Sequence, residues 1–435
     1  MRYLENTFRP IRWLFLDEIS MTSCERLAEI DKALRLGREK PDTVFGGVDI
    51  LFAGDLCQLP PVGSAALYSK SSLTSRSADA RTMMELGRAA WLEVNQVVDF
   101  TEQKRMQDPD MAAALSRLRL RTCTQEDASL FNEQVLRFST RLDGISLEGK
   151  DDAIVLTRTN ETVRTLNFQK ALATAKHTQK DLVICSADDT STSPMTVERR
   201  TALLNYNGAT RTKVGLGRIP LYKGMPVVYR GGNQSVALGM TNGAFATVDS
   251  WDVNVDKWGQ TIAQGVVLRF TNASTIKLDF LESGCIPITP TSSSFQMAES
   301  QSQGTVEQVK RRQLPIQPGF AMTVHSAQGM TSGGPVVVDL RRGGFDAYVS
   351  ATRATKKEHL FLVAPITVGQ LNTPGLPMQL RTELNRLAKL ARHTRHEHDH
   401  DEWKLVDTAR DKRPREDDDV VGPPSSRPRL DTVMP

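Results

Sequence analysis

Short apolar runs without helical spacing set the rhythm of this chain. IRWLFL (11–16), VDILFA (48–53), AIVLT (153–157), PVVVDL (335–340) and HLFLVA (359–364) are each only a few residues long. That is the pattern of parallel strands buried on both faces. Between them, apolar residues recur at helical spacing: Leu27, Ile30 and Leu34; Met111, Leu115 and Leu118; Val163 and Leu166; Leu380, Leu384, Leu387 and Ala391. Thr22 and Glu25 have the spacing of a capping box, and Gly37 is placed to stop the helix they open. Residues 64–87 read as a loop followed by a helix, 95–100 (NQVVDF) as strand-like, and Tyr348 as the start of a helix. Strand alternating with helix predicts an α/β fold.

The texture changes near Thr201. MPVVYR, GAFATV, GVVLRF and TIKLDF follow one another with Gly, Asn and Asp between them, and in the last Ile276, Leu278 and Phe280 alternate strictly. This predicts a small β-barrel-like insertion with one wet face. Its exit, 289–303, is rich in Ser and Gln and is expected to be mobile. Because the α/β texture returns afterwards, the insertion should interrupt one domain. The expected division is 1–98, 99–200, 201–310 (β-rich), 311–392, and a disordered charged tail over 393–435.

Composition narrows the class. With 39% hydrophobic and 24% charged residues the chain reads as an ordinary globular protein. No apolar run is long enough for a membrane span, and none of the first residues resembles a secretory signal. The five cysteines lack C-x-x-C spacing, which argues for reduced thiols in an intracellular compartment. The net charge is +4, but residues 401–435 hold nine acids and seven bases, so the first 400 carry 48 bases against 42 acids. That excess permits a phosphate-binding groove.

The chemistry gathers at strand ends. Asp17 and Glu18 follow the first apolar run, where carboxyl edges of open α/β sheets bind ligands. Two acids there can divide labour, one holding magnesium and the other polarising water, as in the Walker-B half of an NTP hydrolysis site. Gln58 follows the second run, and its amide can donate to a phosphate and accept from a water at once. Pro60 and Pro61 stiffen the chain beyond it.

LFLDEISM, FAGDLCQLPPV, the arginine of EQKRM, TRTNETVRTLN, AMTVHSAQGMT and YVSATR stand in the order found in superfamily 1 helicases. Together they resemble the Pif-type (petite integration frequency) and RecD-like branch, including helicases of Helitron transposons. The resemblance runs from Ile11 to about Ala364. It implies an α/β fold of two RecA-like P-loop NTPase domains, the first truncated at its N-terminus and the second carrying an SH3-like insertion. It also implies ATP and Mg2+ as cofactors, single-stranded DNA as partner, 5′ to 3′ translocation and a monomeric chain. Asp17 would hold magnesium, Glu18 would activate water and Gln58 would sense the terminal phosphate. Arg105 and Arg353 would act as arginine fingers in cis, Gly329 would sit at the nucleotide's edge, and Thr159, Asn160, Thr323, His325 and Ser326 would contact the DNA backbone. The cellular setting implied is DNA repair, recombination, telomere maintenance or transposition, in the nucleus or in mitochondria.

No G-x-x-x-x-G-K-[ST] phosphate loop occurs in these 435 residues. Loss of one preorganised oxyanion donor costs about 100- to 1000-fold in turnover, so the expectation is that this chain alone has no useful ATPase. Two other readings of the same residues stay open: a helicase remnant that binds single-stranded DNA without hydrolysis, and a non-enzymatic protein-interaction scaffold. His393, His396, His398 and His400 read by default as a solvated polar tail.

Overall fold

The computed structural model describes residues 2–70, 77–136, 153–192, 194–206, 215–273, 277–298 and 306–399. Strands Trp13–Leu16 and Asp49–Phe52 pair in parallel, with Leu16 opposite Phe52. Leu14, Leu16, Ile50 and Phe52 turn inward against helices Cys24–Gly37 and Ala78–Leu92, where Leu27, Leu34, Met84 and Trp91 are buried. Side chains alternate across a strand, so Trp13, Phe15 and Leu51 share the other face. They are 62%, 61% and 51% exposed. This corrects the expectation of strands buried on both faces: the described helices cover one face only.

The second sheet has four parallel strands in the order Ala321–Thr323, Ile154–Thr157, Val336–Val338, Leu360–Leu362. Its first strand in sequence lies far from the other three, so the β-rich stretch does interrupt it. Helices Pro109–Leu120, Gln125–Asn132 and Gly344–Ala351 contribute Met111, Leu115, Leu118, Phe131 and Val349 to its core. The last helix, Met378–Asp399, returns to the first layer: Leu380 is buried there, and Trp91 Nε1 donates to Glu383 Oε1 at 2.8 Å.

The β-rich part forms a largely antiparallel sheet with the path Ile316–Pro318, Pro226–Tyr229, Phe245–Val255, Thr261–Phe270, Val183–Ser186, Arg218–Leu221, and Cys285–Ile288 pairing beside Thr261–Phe270. It therefore draws strands from outside 201–310. A second sheet joins Thr291–Ala298, Val306–Gln313 and Asp188–Ser191. Arg311, on the middle strand of this sheet, is fully buried, its five N–H hydrogens directed at both Asp189 oxygens and the carbonyls of Leu203, Tyr206 and Gly215. Complete pairing is what lets a charge sit there.

Several local expectations are corrected. TIKLDF forms no strand over its described residues 277–280: Phe280 is fully exposed with φ 65°, because alternation alone supplies no pairing partner. The Ser/Gln-rich exit contains the paired strand Thr291–Ala298, and a helix, Val197–Asn205, occupies the expected onset of β structure. Residues 95–100 are not a strand; Val98 and Phe100 are exposed, and Val97 N–H bonds Thr394 Oγ1. The helix cap is Ser23, accepting from Arg26 N–H at 3.2 Å, since a short 3-10 turn, Ile19–Met21, comes before it. Tyr348 lies inside helix Gly344–Ala351 and Arg353 just past its C-cap Thr352, rather than at a helix start. Residues 393–399 continue the last helix; His400 and the rest of the expected tail lie outside the described residues. Among the described residues no helix is long and apolar enough to cross a membrane.

Candidate nucleotide and nucleic-acid site

The two strands of the first sheet end side by side and their exits are tied together. Ala53 N–H donates to Leu16 O at 2.8 Å and Ile19 N–H to Ala53 O at 3.0 Å. The exits run so close that a Cβ on Gly54, at φ 142°, would lie 2.9 Å from Ile19 N. Asp17 is exposed and its Oδ1 accepts from Glu18 N–H at 2.8 Å. Glu18 has φ 52° and ψ 44°, a left-handed conformation that is costly for a side-chain-bearing residue. On the second exit, Asp55 Oδ1 accepts from Cys57 N–H and Asp55 O from Gln58 N–H, a tight turn that presents Gln58. Gln58 Oε1 is buried with no hydrogen-bond partner among the described residues.

The second sheet offers a different edge. Strands Ala321–Thr323 and Ile154–Thr157 are neighbours in register, Thr323 opposite Thr157, so the chain leaves both at one carboxyl edge. Thr323 caps the short helix Val324–Ala327 and Thr159 caps helix Asn160–His177. Thr323 Oγ1 donates to Ser326 Oγ at 2.9 Å, and the hydroxyls of Thr159 and Thr162 lie 2.8 Å apart. Thr159 and Ser326 are exposed, whereas Asn160, Thr323 and His325 are half-buried. The edge is therefore polar, rich in hydroxyls and helix-start N–H groups. Its nearby cation, Arg158, is paired with Asp346 at 2.8 Å.

Two bridges join the strand exits of the first sheet to elements around the second sheet. Gln328 Nε2 donates to Glu18 Oε2 at 2.8 Å and to Ser20 Oγ at 3.0 Å. Asp55 receives Arg119 from helix Pro109–Leu120 through two bonds of 2.8 and 2.9 Å, and the Tyr348 hydroxyl at 3.0 Å. Burial works against the Arg119 charge, but the bonds and charge of Asp55 outweigh it and its pKa stands above the ordinary value. Burial, then the Asp55 charge, raises the Tyr348 phenol; the same two causes push the Cys57 thiol up to about 11.

Arg353 is buried, and its guanidinium holds neighbouring backbone. Nε donates to Val349 O, Nη1 to Met330 O and Ala327 O, and Nη2 to Thr352 Oγ1. Burial first, and then the Arg105 charge, lowers its pKa to about 10, with Glu18 opposing. Arg105 Nη1 donates to Thr352 O at 3.2 Å. Gly329, at φ 78°, places its missing Cβ 3.4 Å from Glu18 Oε1. The structure thus gathers Glu18, Gly329, Arg105 and Arg353, with Asp17 adjoining in sequence and Gln58 in the tied neighbouring turn. Thr159, Asn160, Thr323, His325 and Ser326 form the separate polar edge.

Sequence reasoning missed Gln328, Ser20, Asp55, Arg119 and Tyr348. Four of them, all but Arg119, lay inside the quoted motifs, but only the fold shows which partners they reach. For a magnesium nucleotide, the residues fit on one side: an exposed carboxylate at Asp17, an unpartnered amide oxygen at Gln58, and two guanidiniums nearby. Among the described residues no three His, Cys, Asp or Glu side chains cluster as metal ligands. Magnesium characteristically takes one or two carboxylates and completes its shell with phosphate and water.

A family model described as PIF1-like helicase matches residues 2–128. An ATP-dependent DNA helicase PIF1 from Xenopus laevis is 27% identical over 356 residues, covering 80% of this chain and 46% of the relative. An ATP-dependent DNA helicase PIF6 from Trypanosoma brucei brucei is 26% identical over 373 residues, covering 82% and 41%. This chain thus spans less than half the length of these curated relatives. Among solved structures, a Pif1 helicase from Bacteroides in complex with ADP-AlF3 and single-stranded DNA aligns with a TM-score of 0.59 at 19% identity, over 89% of this chain and 78% of that one. Pif1 helicase from Candida albicans aligns at 0.55 and 19%, over 88% and 79%. The fold is that of two RecA-like α/β domains.

Proposed function

We propose that this chain belongs to the PIF1-like helicases, whose family model matches residues 2–128, and that it serves an ATP-driven motor that moves 5′ to 3′ along single-stranded DNA. The observation that carries the reading is the Gln328–Glu18 contact, which joins the acidic edge of one sheet to the hydroxyl-lined edge of the other. Asp17 would hold magnesium, which when bound neutralises phosphate charge. Glu18, turned into the cleft by its left-handed backbone, orients the attacking water. Gln58 offers an unpartnered amide oxygen to that water.

The two arginines differ in what they contribute. Arg353 has its donors engaged with the chain, so it fixes the 327–330 loop and adds positive charge. Arg105 has one bond and keeps more of its fork for phosphoryl oxygens. At the second edge, Thr159, Asn160, Thr323, His325 and Ser326 supply small neutral donors, suited to phosphates that must be gripped and released.

The test is strand binding by the purified chain, followed by fluorescence anisotropy of a labelled oligothymidylate at several salt concentrations. The expected result is an affinity falling with a log–log slope near −0.7 per phosphate contacted, about, weakened by Asn160→Ala and His325→Ala. Salt-independent binding, or none, favours the scaffold reading instead.

A further inference from the structure

We propose that the cavity between helix Asn160–His177 and the β-rich part takes one unstacked nucleotide of the bound strand, its base against Phe168 and its phosphate at Arg164 and Arg218. The proposal rests on the strand-binding reading above and adds to it a contact outside the hydroxyl edge.

The cavity measures about 310 Å³. That is the small end of the range for ligand pockets, about 300–1,000 Å³, and suits a single planar group. Leu204, Pro220 and Pro318 line it and are buried; the two prolines carry no N–H that a ligand could leave unpaired. The remaining walls include Phe168 and two arginines, Arg164 from the helix and Arg218 from strand Arg218–Leu221, all three half-buried. A purely apolar ligand would leave two guanidiniums half-buried without a gain, and an inorganic anion would leave the ring and the apolar lining unused. A nucleotide uses both: its base stacks on an aromatic face and its phosphate takes the guanidinium fork.

The cavity adjoins the strand edge and its walls are fixed. Asn160, Arg164 and Phe168 recur every four residues, which sets them along one side of the helix. Arg164 therefore stands one turn, about 6 Å, from Asn160 at the edge. A strand lying across Thr159 and Asn160 covers that distance in about two nucleotides. Beside Phe168, Asn167 is buried, its amide donating to Ala321 O at 3.0 Å and accepting from Ala321 N–H at 2.6 Å. This pins the helix to strand Ala321–Thr323. Across the cavity, Arg218 Nη1 donates to Asn205 Oδ1 at 2.8 Å. Burial lowers the Arg164 pKa, with Glu161 as the main opposing influence, and a partly desolvated cation attracts an anion more strongly than one in open water.

The experiment compares two probes on the full chain: the labelled oligothymidylate, and an abasic tetrahydrofuran oligomer of equal length. Phe168→Leu should weaken oligothymidylate binding by about 5- to 100-fold and leave the abasic oligomer unaffected, while Phe168→Tyr, which keeps the ring, binds both as the wild type does. Arg164→Met should weaken both probes and flatten the log–log salt slope by about 0.7. Equal losses on the two probes from Phe168→Leu, no loss on either, or an unchanged slope in Arg164→Met overturn the proposal. It is also overturned if thymidine 5′-monophosphate binds the wild type and not Phe168→Leu while strand affinity is the same in both, since the cavity then takes a free nucleotide. Loss of strand affinity in Asn160→Ala alongside any of these results leaves the hydroxyl edge standing; a wild-type chain that binds neither probe overturns both readings. Should Phe168→Leu fold poorly by circular dichroism, Phe168→Met is read in its place.

Discussion

Replacing Asp55 by Asn should loosen the chain more than its half-exposed place suggests. Asp55 leaves the exit of strand Asp49–Phe52, yet three of its bonds reach the second sheet's helices: two from Arg119 and one from the Tyr348 hydroxyl. Side-chain exposure is 17% for Asp55 and 35% for Arg119, so the pair is neither a surface ion pair nor a dry one. Breaking a fully buried pair costs about 3–5 kcal/mol and an exposed pair is worth about 0–1; the intermediate exposure gives about 2 kcal/mol for Asp55→Asn. Tyr348→Phe removes one bond to a charged acceptor, about 1 kcal/mol. Because both act on the same oxygen pair, the double variant should fall short of the sum by about 0.5–1 kcal/mol. Urea unfolding followed by tryptophan fluorescence reads this, Trp91 being buried in the layer below. A cost under about 0.5 kcal/mol for Asp55→Asn, or strict additivity, would refute the bridge.

Other expectations follow from single contacts. Arg353→Lys keeps the charge but not the fork, and should cost about 3 kcal/mol, read by the same urea series. The Arg117 hydrogen bonds hold Asp127 below the usual carboxylate range. Its contribution is therefore complete above the ordinary carboxylate pKa and is lost as pH falls through the depressed folded value. Arg117→Met should cost about 1–2 kcal/mol at pH 7, and thermal melts should show the difference shrinking toward pH 3. All five cysteines are buried. Burial raises Cys57 to about 11, Cys123 to about 12 and Cys185 to about 11, so at pH 8 Ellman's reagent should find them unreactive until urea is added.

The parallel strands were legible because each apolar run is short and stops at polar residues, glycine or, after HLFLVA, proline, and parallel pairing buries such runs. The exposure of Trp13 and Phe15 was not, since an apolar run does not say how many faces are covered. Phe280 failed for the opposite reason: its alternation fits a strand, but no described strand pairs with it. Among the candidate residues, Asp17, Glu18 and Gln58 were readable as strand-end chemistry. Arg353 was readable by motif, but its use as a clamp on the carbonyls of Ala327 and Met330 depends on contacts between separate elements, 26 and 23 residues apart. Gln328 was hidden for the same reason, its partner lying 310 residues away.

The account turns on the two carboxyl edges forming one strand-responsive site, and hydrogen–deuterium exchange with and without single-stranded DNA tests it most directly. Strand binding should protect the backbone over 157–162 and 321–330 and alter exchange at 16–20. Protection confined to the Phe245–Val255 and Thr261–Phe270 hairpin, with those three segments unchanged, would contradict it.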